Sequence, residues 1–358
     1  EINGTKWNTS DIIDNHWVNA NEIPDNGLDD DDNGYIDDFD GWNVSSDDDN
    51  IGTGDHGTRV SSMIGSKGNN TLGVTGVNWD VKLMQVQISG SNEAAAIEGY
   101  AYPLAMRRLY NQTGGAEGAF VVATNSSWGT DGGQAASAPL WCAMYDSLGV
   151  EGILSCGSTT NNNVNVDDVG DLPTGCPSDY LISVARTNSQ DIRAGGGYGI
   201  TTIDLAAPGD AVYLANNTNY GNTTGTSFSS PCAAGAIALI YSAPCTSLAE
   251  QSISAPAYAA LQMKEAILSG VDTTSQLISE LVSGGRLNVW NSLQQVMSTC
   301  DNSLCSTPFG VSINQVAGTN YNVSWSAGSS ALSFELRYRI QWFELLQIHI
   351  HCRSRFHD

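Results

Sequence analysis

The sequence predicts an α/β protein whose parallel sheet carries helices on both faces, followed by a short all-β piece. Three observations point there. Short apolar runs recur at 81–88 (VKLMQVQI), 119–124 (AFVVAT), 152–156, 180–185 and 201–207. They are nearly continuous rather than alternating, which marks strands covered on both faces. Helix-length stretches separate several of them, at 92–110 and 138–149, and parallel neighbours need such crossovers. Beyond Cys305 the pattern changes. Val311 and Ile313, then Tyr321, Val323 and Trp325, then Phe334, Leu336, Tyr338 and Ile340 alternate with polar residues, the period of a strand with one covered face.

In chain order, an acidic stretch fills residues 22–55, and a Gly- and Ser-rich segment around 54–65 suits close helix packing. The strands and helices of the sheet follow, then a buried helix over 227–241, further helices over 255–269 and 288–298, and the change of character near Cys300. This divides the chain into a main domain over 1–300, a partial all-β module over 301–340 and a tail over 341–358. The tail holds three of the five histidines (349, 351 and 357) and is expected to break the strand rhythm. It is read as a misread end rather than as a metal-binding tail.

The 358 residues include 38 Asp or Glu against 14 Lys or Arg, a net charge of −24. That excludes nucleic acid and an anionic membrane surface as natural partners. No run of 18 apolar residues occurs, so no transmembrane helix is expected. The eight cysteines form no CxxC pairs of the zinc type. They read as disulfides of an oxidising compartment, with connectivity open, against the alternative of buried free thiols. The chain starts at Glu1 without a signal peptide, which is read as processing or a fragment.

Residues 225–241, GTSFSSPCAAGAIALIY, place a serine at the mouth of a helix too uniformly apolar to lie on a surface. The helix is expected to begin at Ser227, with Pro231 in its first turn, where a missing N–H costs nothing. A serine there sits among orphan N–H groups at the positive end of the dipole, which suits a nucleophile whose attack creates an oxyanion. It also suits an ordinary N-cap. Only His16 and His56 precede residue 340 as candidate bases. His56 lies in GDHGTRVSSMIG (54–65), while His16 lies in the polar DNHWVN. The GxSxG signature of lipases and esterases is absent.

HGTRV at His56 and GTSFSSP at Ser227, in that order, resemble the subtilisin-like serine proteases, the subtilases. TNSSWG (124–129) is similar to the family's cleft-lining segment, and GILSCGSTTN (152–161) to the strand leading to its oxyanion-hole asparagine. The resemblance runs from about residue 3 to 298. It implies a subtilisin-like fold and peptide-bond hydrolysis through an acyl-enzyme: Ser227 as nucleophile, His56 as general base, Asn161 as oxyanion donor, and Ser127, Trp128 and Gly129 as the substrate-binding segment. Read alone, Asn161 is a turn residue and Trp128 a core residue. The same resemblance sets the triad's acid at Ile2, which cannot ionise, with Glu1 and Asn3 one step off register. The family's acid-bearing strand is therefore expected to be missing, through truncation or true loss. Asp55 is adjacent to His56, where side chains diverge.

Residues 22–55 hold 13 Asp or Glu, and no Lys or Arg lies between Lys6 and Arg59. Within this stretch DDDDNGYIDDFD (29–40) has the spacing of a calcium loop. Asp29, Asp31, Asn33, the Tyr35 carbonyl, Asp37 and Asp40 supply the ligand positions around a turn at Gly34. The alternative is a solvated acidic loop. Residues 305–340 resemble the first half of a fibronectin type III module. The expectation is a secreted, monomeric, calcium-stabilised serine endopeptidase acting on proteins or peptides. The alternative is a catalytically impaired subtilase fold that serves as a binding or adhesion module.

Overall fold

The computed structural model of the chain describes residues 10–301 apart from Thr53 and Thr218, and the backbone of four further strands between 309 and 352. The acidic first part is mostly turns. Its regular elements are strand β1 (Trp42–Asn43), helix α1 (Asp55–Gly65) and strand β2 (Val86–Gln87). Next come α2 (Glu93–Thr113), β3 (Ala123–Ser126), β4 (Thr130–Asp131), α3 (Pro139–Val150), β5 (Leu154–Ser158), α4 (Val166–Val169) and β6 (Asp171–Leu172). Strands β7 (Leu181–Thr187), β8 (Leu205–Pro208), β9 (Val212–Ala215) and β10 (Tyr220–Thr223) lead into helices α5 (Ser230–Tyr241), α6 (Thr246–Ser254) and α7 (Pro256–Ser269). The main domain closes with β11 (Asp272–Thr273), β12 (Gly285–Arg286) and α8 (Val289–Ser298).

Local chemistry sets the helix ends. Asn92 accepts a hydrogen bond from the Ala95 N–H at the start of α2, and Gly114 closes that helix at φ 67°, a left-handed residue that glycine takes without strain. Proline stands in the first turn of α3, α5 and α7, where its missing N–H is no loss.

The six-stranded sheet runs β11–β12–β8–β7–β5–β3. From β3 to β12 the pairs are parallel, with Ala123 opposite Leu154, Ser155 opposite Leu181, Val184 opposite Leu205 and Arg286 opposite Ala206. Only the edge strand β11 is antiparallel. Strand residues alternate between two apolar layers. Leu154, Cys156, Ile182, Val184, Leu205 and Ala207 face Ala233, Ile237 and Ile240 of α5 and Ala260, Met263 and Ile267 of α7. On the other face Ile153 and Leu181 meet Tyr100 and Leu104 of α2 and Trp141, Tyr145 and Leu148 of α3. Burial of both faces explains why the strands read as continuous apolar runs.

The run 81–88 departs from the expected single sheet. Only Val86 and Gln87 pair, with β1, and Leu83 forms an isolated bridge to His16. Among the described residues no strand joins β2 to β3, so the two sheets stay separate. Residues 1–9, with the expected acid position Ile2, lie outside the described residues.

Among the described residues Cys142 pairs with Cys176 and Cys245 with Cys300, while Cys156 and Cys232 are buried thiols. Both readings of the cysteines thus hold for part of the set. Beyond residue 308, β13 (Phe309–Ala317) pairs antiparallel with β14 (Asn320–Ser326), and β15 (Phe334–Gln341) with β16 (Glu344–Cys352). The tail was expected to break the strand rhythm, yet β16 runs through it. Its segment Leu346–Cys352 alternates Leu, Ile, Ile and Cys with Gln and two His, which is itself a strand period.

Candidate active site

His56 is the second residue of α1, and Ser227 lies in a 3-10 turn (Thr226–Phe228) just ahead of α5. The nucleophile candidate therefore precedes the buried helix rather than starting it. Helices α1 and α5 pack closely because the contact residues are small. A Cβ on Gly235 would come within 2.9 Å of Val77 Cβ and 3.2 Å of the Ile64 carbonyl. The packing brings the two N-terminal ends together, with the His56 and Phe228 rings 5.8 Å apart between centroids. Partial desolvation holds the His56 pKa below its usual 6.5, opposed by Asp55 and reinforced by Arg59. The imidazole is therefore neutral at pH 7, the form a general base needs.

Ser227 is tied to the segment after β3 from two sides. Its Oγ donates to the Ser127 carbonyl at 3.3 Å, and the Ser127 hydroxyl donates to the Ser227 carbonyl at 2.7 Å. Gly129 lies so close to the Leu172 carbonyl that any Cβ would collide with it. Asn161 Oδ1 accepts from Thr226 N (3.1 Å) and Arg186 Nη1 (3.3 Å), while the Thr226 hydroxyl donates to the Thr159 carbonyl at 2.5 Å. Two N–H donors converging on one atom fix the amide's orientation and leave Nδ2 as its donor group. Ser227, Asn161, Trp128 and Gly129 line one cleft of about 80 Å³. The Trp128 ring itself stacks on Trp141 at 5.3 Å, so this side chain belongs to the core beneath the cleft.

Two carboxylates in the same cleft, Asp131 and Asp171, carry no signal in the sequence that would single them out. Asp171 accepts from the Thr160 N–H (2.9 Å) and the Thr174 hydroxyl (2.6 Å). Burial, with Asp131 nearby, pushes its pKa up to about 6. Neither is bonded to His56. Asp55 turns to Arg59 Nε (2.8 Å) and the Asn217 N–H (3.2 Å), and the Arg59 bond holds its carboxyl below the usual range. Among the described residues no carboxylate hydrogen-bonds the His56 ring.

A family model described as the subtilase family matches residues 4–281. The chain belongs to the subtilase family. The family is one of serine peptidases. An extracellular protease of Xanthomonas campestris pv. campestris is 28% identical over 216 residues, 55% of this chain and 34% of that protein. The subtilase described here thus spans about a third of that relative's length, at 34%. A solved protease of Pseudoalteromonas arctica aligns with a TM-score of 0.51 at 21% identity, covering 67% of this chain and 70% of its own. The epidermin leader peptide processing serine protease of Staphylococcus aureus gives 0.51 at 17% identity, covering 69% and 63%. At these identities the likeness is one of fold.

The acidic insert of this subtilase divides the expected calcium ligands. Asp29 caps a turn, accepting from the N–H groups of Asn33 (3.0 Å) and Gly34 (2.8 Å). Asp37 binds the Asn26 and Gly27 N–H groups, each at 2.9 Å, and Asp40 pairs with His16 Nε2 at 3.0 Å. Asn33 Oδ1 accepts from the Tyr35 N–H at 2.7 Å. Of the four aspartates, Asp31 alone joins Glu22 and Asp38, which the spacing did not single out, and Asn33 Nδ2 donates to Asp38 Oδ2. Burial pushes the carboxyls of all three upward, and neighbouring charges add to it: Asp38 and Asp31 on Glu22, Asp29 on Asp31, and Asp31 on Asp38.

Proposed function

We propose that this chain is a serine endopeptidase that cleaves peptide bonds through an acyl-enzyme on Ser227. The observation that carries the reading is that Ser227 and Asn161 line one cleft, while the neutral His56 stands against Phe228, the residue next to Ser227. Ser227 Oγ attacks the peptide carbonyl carbon and gives its proton to His56. The oxyanion takes the Ser227 N–H and Asn161 Nδ2. His56 then protonates the leaving amine as the C–N bond breaks. Water repeats the cycle on the ester, releasing the acid and restoring the serine. The tie from Ser127 to the Ser227 carbonyl supports a positioning role for 127–129, beside which a substrate backbone would lie.

Secretion accords with the two disulfides and with the extracellular relative. A divalent cation in the acidic insert, calcium by its all-oxygen donors, belongs to the same reading. The antiparallel pairing beyond residue 308 supports a spacer of the fibronectin type III kind.

A fluorophosphonate probe tests the central claim. Wild-type protein should be labelled at Ser227, and both Ser227→Ala and His56→Ala should remain unlabelled. The second reading, an impaired fold used for binding, is favoured by the lack of a described carboxylate on His56. It wins if folded wild-type protein is not labelled at all.

A further inference from the structure

We propose that Glu22, Asp31 and Asp38 hold one calcium ion at a buried site between the acidic insert and α2. The three side chains come from separate turns, at 4%, 5% and 0% exposure. One oxygen of each lies within 4.8 Å of the other two. A cation at 2.3–2.6 Å from each oxygen spans that spread. No ion pair among the described residues offsets these carboxylates.

The surrounding donors are used to orient the group. Asn19 Nδ2 bridges Asp31 Oδ2 (3.0 Å) and Asp38 Oδ1 (2.9 Å), while Asn33 Nδ2 (2.9 Å) and the Tyr102 hydroxyl (2.7 Å) bind Asp38 Oδ2. Glu22 Oε1 accepts from the Asp30 N–H at 2.8 Å. The odd atom is Glu22 Oε2, which is buried and has no hydrogen-bond partner. A buried carboxylate oxygen is costly to leave so, and a native fold leaves few. A cation supplies what Oε2 lacks and compensates three negative charges at once. Hard oxygen donors exclude zinc and copper as first choices, and magnesium parts with its water too reluctantly for an all-protein cage.

The ion would join two parts of the chain. Tyr102 is fully buried in α2 and packs edge-on against Trp17 and Tyr35, with Trp42 stacked beside it. Through Asp38 and Tyr102 the insert is fastened to the helix that supports the face of the sheet under Trp128. The proposal deepens the calcium reading above and does not depend on proteolysis.

The test uses the whole protein freed of metal with EDTA, then titrated with CaCl2 by calorimetry and with Tb3+, whose emission the neighbouring Trp and Tyr should sensitise. Wild type should bind one Ca2+ and melt at higher temperature with it. Glu22→Gln and Asp38→Asn should weaken binding by on the order of 10–100-fold. Asp37→Asn and Asp40→Asn should leave it within about 2-fold, since neither carboxylate faces the site. In EDTA, Glu22→Gln should melt above wild type because it removes a buried uncompensated charge, and in saturating calcium below it. That reversal is not expected of a residue that only packs. Loss of binding in Asp37→Asn or Asp40→Asn, with Glu22→Gln unaffected, would overturn the triad while keeping calcium in the loop. Absence of any heat, emission or melting shift in wild type would sink the calcium reading as well.

Discussion

In its resting geometry the Ser227 hydroxyl donates a hydrogen bond to the Ser127 carbonyl at 3.3 Å rather than to His56, and catalytic contacts often tighten only when substrate is bound. Asn161 is better prepared, because its amide oxygen is occupied by Thr226 and Arg186. Asn161→Ala should therefore lower kcat by about 10²–10³ with little change in KM, measured on a peptide ester. The acid limb of kcat/KM should have its midpoint below 6.5, the usual histidine value, since desolvation favours neutral His56. Asp171 bears on stability. Its carboxyl titrates at about 6 in the fold, against 3.8 in its reference state. Between those values the unfolded chain has already lost the proton that the fold retains, so stability falls as pH rises through the window. The loss is about 3 kcal/mol for a shift of this size. Asp171→Asn should flatten urea midpoints between pH 4 and 6 and raise them at pH 7. The sequence marked Ser227, His56 and Asn161 because motifs surround them. Asp171 it left unmarked, because its burial depends on which segments close over it.

Helices α1 and α5 are the elements that make the site, and their contact rests on small residues. Gly235→Ala puts a methyl against Val77 and the Ile64 carbonyl and should cost roughly 1–3 kcal/mol, read from denaturant midpoints. Activity should fall further than stability predicts, because the methyl pushes His56 away from Ser227. The five apolar runs foretold the strand regions, since burial on both faces leaves a compositional mark. Pairing was less legible. The run 81–88 is as apolar as its neighbours, yet only Val86–Gln87 pairs, with β1. The acidic insert shows the opposite failure. Its spacing fits a continuous calcium loop, but Asp37 and Asp40 fold outward to Gly27 and His16. Positive φ values at Asp25, Asp32, Asp37 and Asp47 break the segment into separate turns, so neighbours in sequence part company.

At the scale of the molecule, the net charge of −24 works against compactness, and self-repulsion must be offset by burial and cross-links. Cys142–Cys176 closes a separation of 34 residues and joins α3 to the turn before β7. Cys245–Cys300 closes 55 and joins the start of α6 to the end of α8. Bridges of this length each contribute roughly 2–4 kcal/mol, mainly by restricting the unfolded chain. Reduction should lower the melting temperature in calorimetry. Alanine in place of Cys245 and Cys300 together should reproduce part of that loss, whereas alkylating the buried Cys156 should require unfolding first.

The sequence alone determined the parallel α/β architecture, the buried helix behind Ser227 and the family, because periodicity and short motifs are local properties of the chain. Which cysteines pair, which carboxylates share the Ser227 cleft, and which acids of the insert meet at Glu22 were decided only by tertiary structure. Each depends on segments far apart in the chain being packed against one another, and no local pattern records that distance.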